Sequence, residues 1–491
     1  MKKLTTISKS LSLHLYTLRL NPFSLIFVLF SLFTFSASAQ TIKYVTPGGG
    51  SGIKDGSTWA KAAPGSQLQT IITEATSGTQ IWVAAGTYTP TINPVTGMAG
   101  VNRDNTFLLK DGVALYGGFK GTGNGGRPET IAGRNITANP TILSGDLDND
   151  GDISDNAYHV VLAIGCSSST ILDGFIIEKG NANDDNNGVV ISGISISTAS
   201  GGGIYNSSSS FVISNTMFRN NIAVDRGGAL ANDGQSFPSI INSVFSSNSS
   251  NSSGSAIYSY KSSPIIINST FTNNISMNLK DGTICNDADG MSSPVIITNS
   301  ILYGNTGVGI SNPGTATAIV SNSIVQGGYA DGGANIIDAD PLFINPSAGD
   351  FRLQAGSPAI NKGDKTKIPA EYLTTDLAGK PRVTGSNVDM GAYETSVVYG
   401  MTNAYEQVTN ILSPNGDGIN DVWKIDDLNI YPNNEVKIFS SNGVLLRSYK
   451  NYQNDWDGTL NGQRLKEDTY YYVISVPSGK EVTKGFITIL Y

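Results

Sequence analysis

The sequence predicts an all-β chain: a right-handed parallel β-helix (a solenoid) followed by a small antiparallel β-sandwich. Three observations lead there. A glycine-rich tetrad closing on an aliphatic recurs through residues 201–328, and its closing residues Ile204, Leu230, Ile257, Ile284 and Ile310 stand 26, 27, 27 and 26 residues apart. A column of Asn215, Asn242, Asn268, Asn299 and Asn322 runs in step with it. After residue 402 the period is lost, and short β-rich runs alternate with turn residues. A constant period in the twenties means coils stacked on one another, none of which buries a core alone.

The columns say how a coil is built. Two residues before each Asn stands Ile213, Ile240, Ile266, Ile297 or Val320. Three after it stands Phe218, Phe245, Phe271, Leu302 or Val325, and six after it Asn221, Asn248, Asn274, Asn305 or Gly328. β-Branched and aromatic residues favour strands, while Asn, Ser and Gly favour bends. With one unit per turn, aliphatic and Phe side chains stack inward and Asn side chains pair in ladders. Gly takes the backbone angles that other residues avoid. The paired signatures Gly-Gly-Ala-aliphatic and Phe-x-x-Asn resemble the repeats of polymorphic outer-membrane proteins and related bacterial surface β-helices. That resemblance speaks for the fold and not for an activity, because the fold hosts lyases, hydrolases, adhesins and passive stalks.

In chain order, residues 1–39 read as a signal peptide. Lys2 and Lys3 precede an apolar run from Phe23 to Phe35, and Ala37-Ser38-Ala39 supplies small residues for cleavage before Gln40. The run is too short for an anchor, and no later stretch is long and apolar enough to cross a bilayer, so no transmembrane segment is expected in the mature chain. Residues 40–157 form an N-terminal cap and the first coils. Gln69-Thr70-Ile71-Ile72 suggests a short helix before the strand around Ile81-Trp82-Val83. Residues 158–335 hold the repeats, with Asp173 read into the Asn column and residues 180–200 as a loop thrown out from one coil.

Residues 336–395 change character. Asp340-Pro341-Leu342-Phe343, Gly349-Asp350-Phe351, Gly356-Ser357-Pro358-Ala359-Ile360, Asp376-Leu377-Ala378-Gly379-Lys380-Pro381-Arg382 and Asp389-Met390-Gly391-Ala392-Tyr393-Glu394 follow in order. The series resembles the choice-of-anchor Q module, which implies a position behind β-helix repeats, and it reads as a loop-rich C-terminal closure of the solenoid. A linker, 396–402, leads to residues 403–491. There Leu412-Ser413-Pro414-Asn415-Gly416-Asp417-Gly418-Ile419-Asn420-Asp421, Trp456-Asp457-Gly458 and Thr469-Tyr470-Tyr471-Tyr472 resemble the gliding-motility-associated C-terminal domain. In Bacteroidetes that domain is the type B sorting signal of the type IX secretion system. Ser440-Ser441-Asn442 and Lys466-Glu467-Asp468 depart from the family's usual Asn-Arg-Trp and Pro- and Gly-bearing segments. The resemblance implies inner-membrane export by the N-terminal signal. Outer-membrane passage would follow, with the type IX machinery as partner of residues 403–491, and then surface retention or release.

Composition narrows the function. Charged residues are 14% of the chain and the net charge is −8. The first forty residues carry Lys2, Lys3, Lys9 and Arg19 and no acid, so their removal leaves −12. An acidic protein is a poor partner for nucleic acid. Of two histidines, His14 lies in the signal and His159 stands alone, which excludes a His-based triad or a multi-His metal site in the mature chain. Cys166 and Cys285 lie several coils apart, so each reads as a small buried residue rather than half of a bridge.

Site candidates follow from residues that interrupt the columns. Asp146, Asp148, Asp150 and Asp152 alternate as in a calcium loop with Gly151 at the sixth place, but Ala157 at the twelfth rules out an EF-hand. Asn415, Asp417, Asn420 and Asp421 make a second polar loop of the same kind. Asp233 and Asp287 share a column two coils apart, about 10 Å at strand spacing, with Tyr260 between them. Arg226 and Lys280 share another. Paired carboxylates cleave glycosides, and a cation beside acids suits a polyuronate lyase. The Asp-Asp, Gly-His-Gly and Arg-Ile-Lys signatures of polygalacturonase-like enzymes are absent. Tyr205, Tyr258 and Tyr260, with Asn206, Asn232 and Asn286, offer rings and amides to a glycan instead. The expectation is a secreted or cell-surface protein that adheres to or contacts carbohydrate. A polysaccharide lyase or glycoside hydrolase and a non-catalytic stalk stand as alternatives.

Overall fold

The structure is a computed structural model that describes residues 40–122, 129–184, 188–278, 282–289, 294–385, 387–395, 410–425, 428, 434–475 and 482–491. From Ile42 to Val325 the chain winds into stacked coils whose strands pair in parallel. Among the described residues a main sheet of eighteen strands, a second of seven and a short third of four run along the stack. The repeat tetrads enter the seven-stranded sheet, where Leu230 pairs with Ile204 and Ile257, and Ile284 with Ile257 and Ile310. The register therefore follows the alignment of the repeats.

Each column has a physical office. Asn215, Asn242, Asn268, Asn299 and Asn322 all have positive φ, between 47° and 52°. The first four turn the chain between the two strands each coil gives the main sheet, while Asn322 lies within the single strand Ala318–Val325; Asn is among the few non-glycine residues that tolerate this region. The Asn column six residues on points inward. The amides of Asn221, Asn248 and Asn274 donate to Asn248, Asn274 and Asn305 at 3.0, 3.0 and 2.8 Å. These buried amides satisfy one another along the stack, as a buried polar group must. Beside them, the rings of Phe218, Phe245 and Phe271 stack at 4.5 and 4.7 Å. Ile213, Ile240, Ile266 and Ile297 fill the same core with no solvent exposure.

Asp173 lies one place away from its expected column. Its strand, Ile171–Asp173, pairs Asp173 with Ser214, so Gly174 (φ 83°) takes the bend that Asn215 takes in the next coil. Asp173 instead accepts hydrogen bonds from Ser214 Oγ at 2.7 Å and Asn215 Nδ2 at 3.0 Å, and pairs with Arg134. In the leading section a helix, Leu68–Glu74, buries Leu68 and Ile72 in the common core ahead of the strand Gln80–Ala84. The loop expected from 180–200 contains an antiparallel hairpin, Val189–Ile191 with Ile194–Ile196.

Residues 336–395 do not simply close the last coil; they return along the flank of the stack and bind the bend asparagines. Asn242 donates to Thr375 O at 3.2 Å, Asn268 to Asp389 O at 3.1 Å and Asn299 to Asp364 O at 3.0 Å. Phe343, Phe351 and Leu353 bury against Val244, Ile301 and Ile324. The amides at the bends thus serve twice, turning each coil and holding the returning backbone.

The described residues of 410–491 form a separate sheet of five strands. In order these are Ile411–Leu412, Val482–Ile489, Asp468–Ser475, Glu435–Phe439 and Leu445–Lys450, antiparallel except at the first pair. A hairpin, Thr459–Leu460 with Gln463–Arg464, and the bridge between Trp423 and Trp456 supply the other layer. Trp423, Trp456, Tyr452 and Tyr472 fill the space between.

Candidate functional site

The charged and aromatic residues that break the columns meet on the outer face of the seven-stranded sheet. There, two coils apart, one bond repeats. Tyr205 donates to Asp233 at 2.9 Å and Tyr258 to Asp287 at 3.0 Å, each tyrosine reaching a carboxylate of the next coil. Arg226 completes the second pair. Its Nη1 donates to Tyr258 Oη at 2.8 Å, and its guanidinium lies 4.9 Å from the centre of that ring. Tyr260 repeats the theme one column over, donating to Asp289 at 2.9 Å, with Lys261 also on Asp289 at 2.9 Å.

This geometry redistributes the expected roles. Tyr205 cannot stack on a sugar: Ile191 and Ile196 of the hairpin cover it, and it is 4% exposed. Tyr258 is 6% exposed, and burial drives its hydroxyl pKa far above the ordinary value. Of the three tyrosines only Tyr260 keeps a partly open ring. Asp233 and Asp287 are each occupied by a tyrosine hydroxyl, and Tyr260 stands between them on the intervening strand. Arg226 is likewise engaged by Tyr258. Lys280 lies outside the described residues. Asn206 and Asn232 point into the core as a ladder, Asn206 donating to Asn232 at 2.9 Å, so neither faces a ligand. Asn286 is buried as well and donates to Thr317 O at 2.7 Å.

His159 is buried against Tyr205, with its Nδ1 2.9 Å from Gly201 O; burial pulls its pKa down to about 4, so it stays neutral. Cys166 and Cys285 are both buried, and neither forms a disulfide. In the acidic loop, carboxylate oxygens of Asp146, Asp148 and Asp150 come within 4.8 Å of one another, and Asp152 is not in that group. Asp152 accepts the Ser154 N–H at 2.9 Å. In the C-terminal loop Asp421 accepts the N–H groups of Gly416 and Gly418, both at 2.7 Å, and Asp417 accepts that of Ile419 at 2.7 Å. Those carboxylates close their own loop.

A groove that sequence reading missed opens on the flank. The outer face of the main sheet is its floor, residues 135–140 are one wall and residues 346–352 with Lys380 the other, and its volume is about 810 Å³. Asn220, Ser247 and Asn273 line it from successive coils, all with positive φ of 55–57°. Arg219 faces it too, held by Glu178 at 2.5 Å, and Arg352 is held by Asp350 at 2.7 Å. One signal was visible beforehand: Arg219 occupies a strand position where the next coils carry Ser246 and Thr272. The second wall comes from a segment distant in sequence, which no local pattern reveals.

Residues 406–489 match the CHU_C type IX secretion signal domain. That domain marks the chain for export by the type IX system, to the cell surface or the medium. No curated protein matches the chain. Among the described residues no helix is long and apolar enough to cross a membrane.

Proposed function

We propose that the coils are a surface-displayed or released scaffold that holds an extended carbohydrate in the flank groove. A signal peptide at 1–39 starts export, the choice-of-anchor Q-like segment 336–395 braces the coils, and the type IX machinery recognises residues 403–491. The supporting observation is the row of Asn220, Ser247 and Asn273 on successive coils inside a groove of about 810 Å³. Polar groups repeating at strand spacing, about 4.8 Å, address a ligand that itself repeats. The volume is that of a ligand site. Contact is favoured over turnover because the paired acids Asp233 and Asp287 are already engaged by tyrosines and do not line this groove.

The test is the mature protein on arrays of neutral and acidic glycans. Binding without cleavage is expected, weakened about tenfold or more by Ala348→Trp, which fills the groove from an exposed wall position. Binding indifferent to Ala348→Trp would remove the groove from the account. Cleavage abolished by Asp233→Ala or Asp287→Ala would replace contact by lyase or hydrolase chemistry, and no response to any glycan would leave a structural stalk.

A further inference from the structure

The acidic loop between the strand Thr141–Ser144 and Asn156 carries a second, independent mark of a ligand. Asp146 is buried, 1% exposed, and only one of its two carboxylate oxygens is used: Oδ2 accepts Lys179 Nζ at 2.7 Å, while Oδ1 is out of solvent without a partner. Asp155, nine residues on, has the same defect, with Oδ1 buried and unpartnered. An oxygen of a carboxylate shut away from water without a donor is costly unless something positive fills the space.

The surroundings say what would fill it. Carboxylate oxygens of Asp146, Asp148 and Asp150 lie within 4.8 Å of one another, a spread that an ion bound at about 2.4 Å to each can bridge. Asp146, Asp148, Asp150, Asp152 and Asp155 bring five negative charges, and Lys179 is the cation paired with them. The donors are all oxygen, and no His or Cys belongs to the cluster. A hard divalent cation matches that set, and calcium matches it better than magnesium because the ligands come from a loop rather than a rigid octahedron.

We propose that Asp146, Asp148 and Asp150 bind calcium. The ion ties the loop to the coil beneath it. Asp146 holds Lys179, whose φ is 62°, and Asn156 donates to Lys179 O at 2.7 Å, so both ends of the loop grip one bend of the next coil. Neutralising the cluster fixes that bend. A chain exported to the outside meets calcium at millimolar levels, which matches the affinity of about 10⁻⁴–10⁻³ M usual for extracellular modules.

The experiment is a thermal melt of the full mature protein, stripped with EDTA and then titrated with calcium chloride to about 10 mM, with calorimetry for stoichiometry. One calcium per chain and a rise of several degrees in Tm are expected. The double variant Asp148→Asn/Asp150→Asn changes only exposed side chains, so it should fold as the parent does, yet lose the rise and at least about tenfold in affinity. No shift in the parent at 10 mM calcium, or an equal shift in the double variant, would overturn the site. Neither outcome touches the groove, whose glycan binding is read separately.

Discussion

Arg382 and Glu394 pair at 2.9 Å with both side chains wholly out of solvent. Arg382 also donates to Asn242, one of the asparagines that turn the coils. Asp376 and Asp389 are buried in the same returning segment, where they act electrostatically on Arg382 and Glu394. One guanidinium therefore ties the flank segment to the stack.

Arg382→Met should leave buried Glu394 and Asn242 without their shared donor and cost at least about 3 kcal/mol. Arg352→Met breaks a partly exposed pair with Asp350 and should cost under about 1 kcal/mol. Urea unfolding of the two variants beside the parent checks the ranking; equal losses would place the anchor elsewhere.

The same cluster sets a pH dependence. Burial pushes the Glu394 carboxyl up to about 9, against the opposing pull of Arg382 and of the Asp389 N–H, and raises Asp376 and Asp389 too. An unfolded chain releases these protons near pH 4, so between there and about 9 the folded state binds more protons. Stability from Glu394 is therefore complete below the ordinary carboxylate range and declines as pH rises. The urea midpoint of the parent should fall more steeply from pH 5 to pH 9 than that of Glu394→Gln. Parallel curves would contradict this.

Asn248 illustrates the internal ladder. It donates to Asn274 and to Phe218 O, and accepts from the backbone and side chain of Asn221, all at 3.0–3.1 Å. Asn248→Ala leaves several buried groups unsatisfied at about 1–3 kcal/mol each, so a loss of at least about 3 kcal/mol is expected. Asn251→Ala, on the exposed side of the next bend, should stay within about 0.5 kcal/mol. Chemical denaturation of both variants measures the difference.

Tyr258→Phe removes the hydroxyl that joins Arg226 to Asp287. A loss of about 1.5–3 kcal/mol is expected, because both partners are charged. Glycan binding in the groove should be unchanged. A loss of binding without a loss of stability would move the ligand to the sheet face.

Much of the fold was legible because it is one-dimensional. Ile213 and Phe218 recur at a fixed period, and the period alone stacks them. Asp173 was misplaced by one residue because Gly and Asn both supply positive φ, so Gly174 filled the bend that only Asn was expected to mark. Tyr205 read as an open ring because the hairpin that covers it, around Ile191 and Ile196, carries no column signal. The groove was invisible for a related reason. Its floor at Arg219 and its wall at Lys380 meet only through a returning segment held by amides of remote coils. The unpartnered oxygen of Asp146 carries no sequence signal, because an oxygen left without a donor shows only in three dimensions.

Export through the sorting domain is the claim on which the rest depends, since a groove for extracellular glycans needs delivery. Deleting residues 403–491 and following the protein by fractionation tests it directly. The shortened chain should accumulate in the periplasm with its coils folded, while the full chain reaches the surface or the medium. Appearance of the shortened chain outside the cell at the level of the full one would contradict the account.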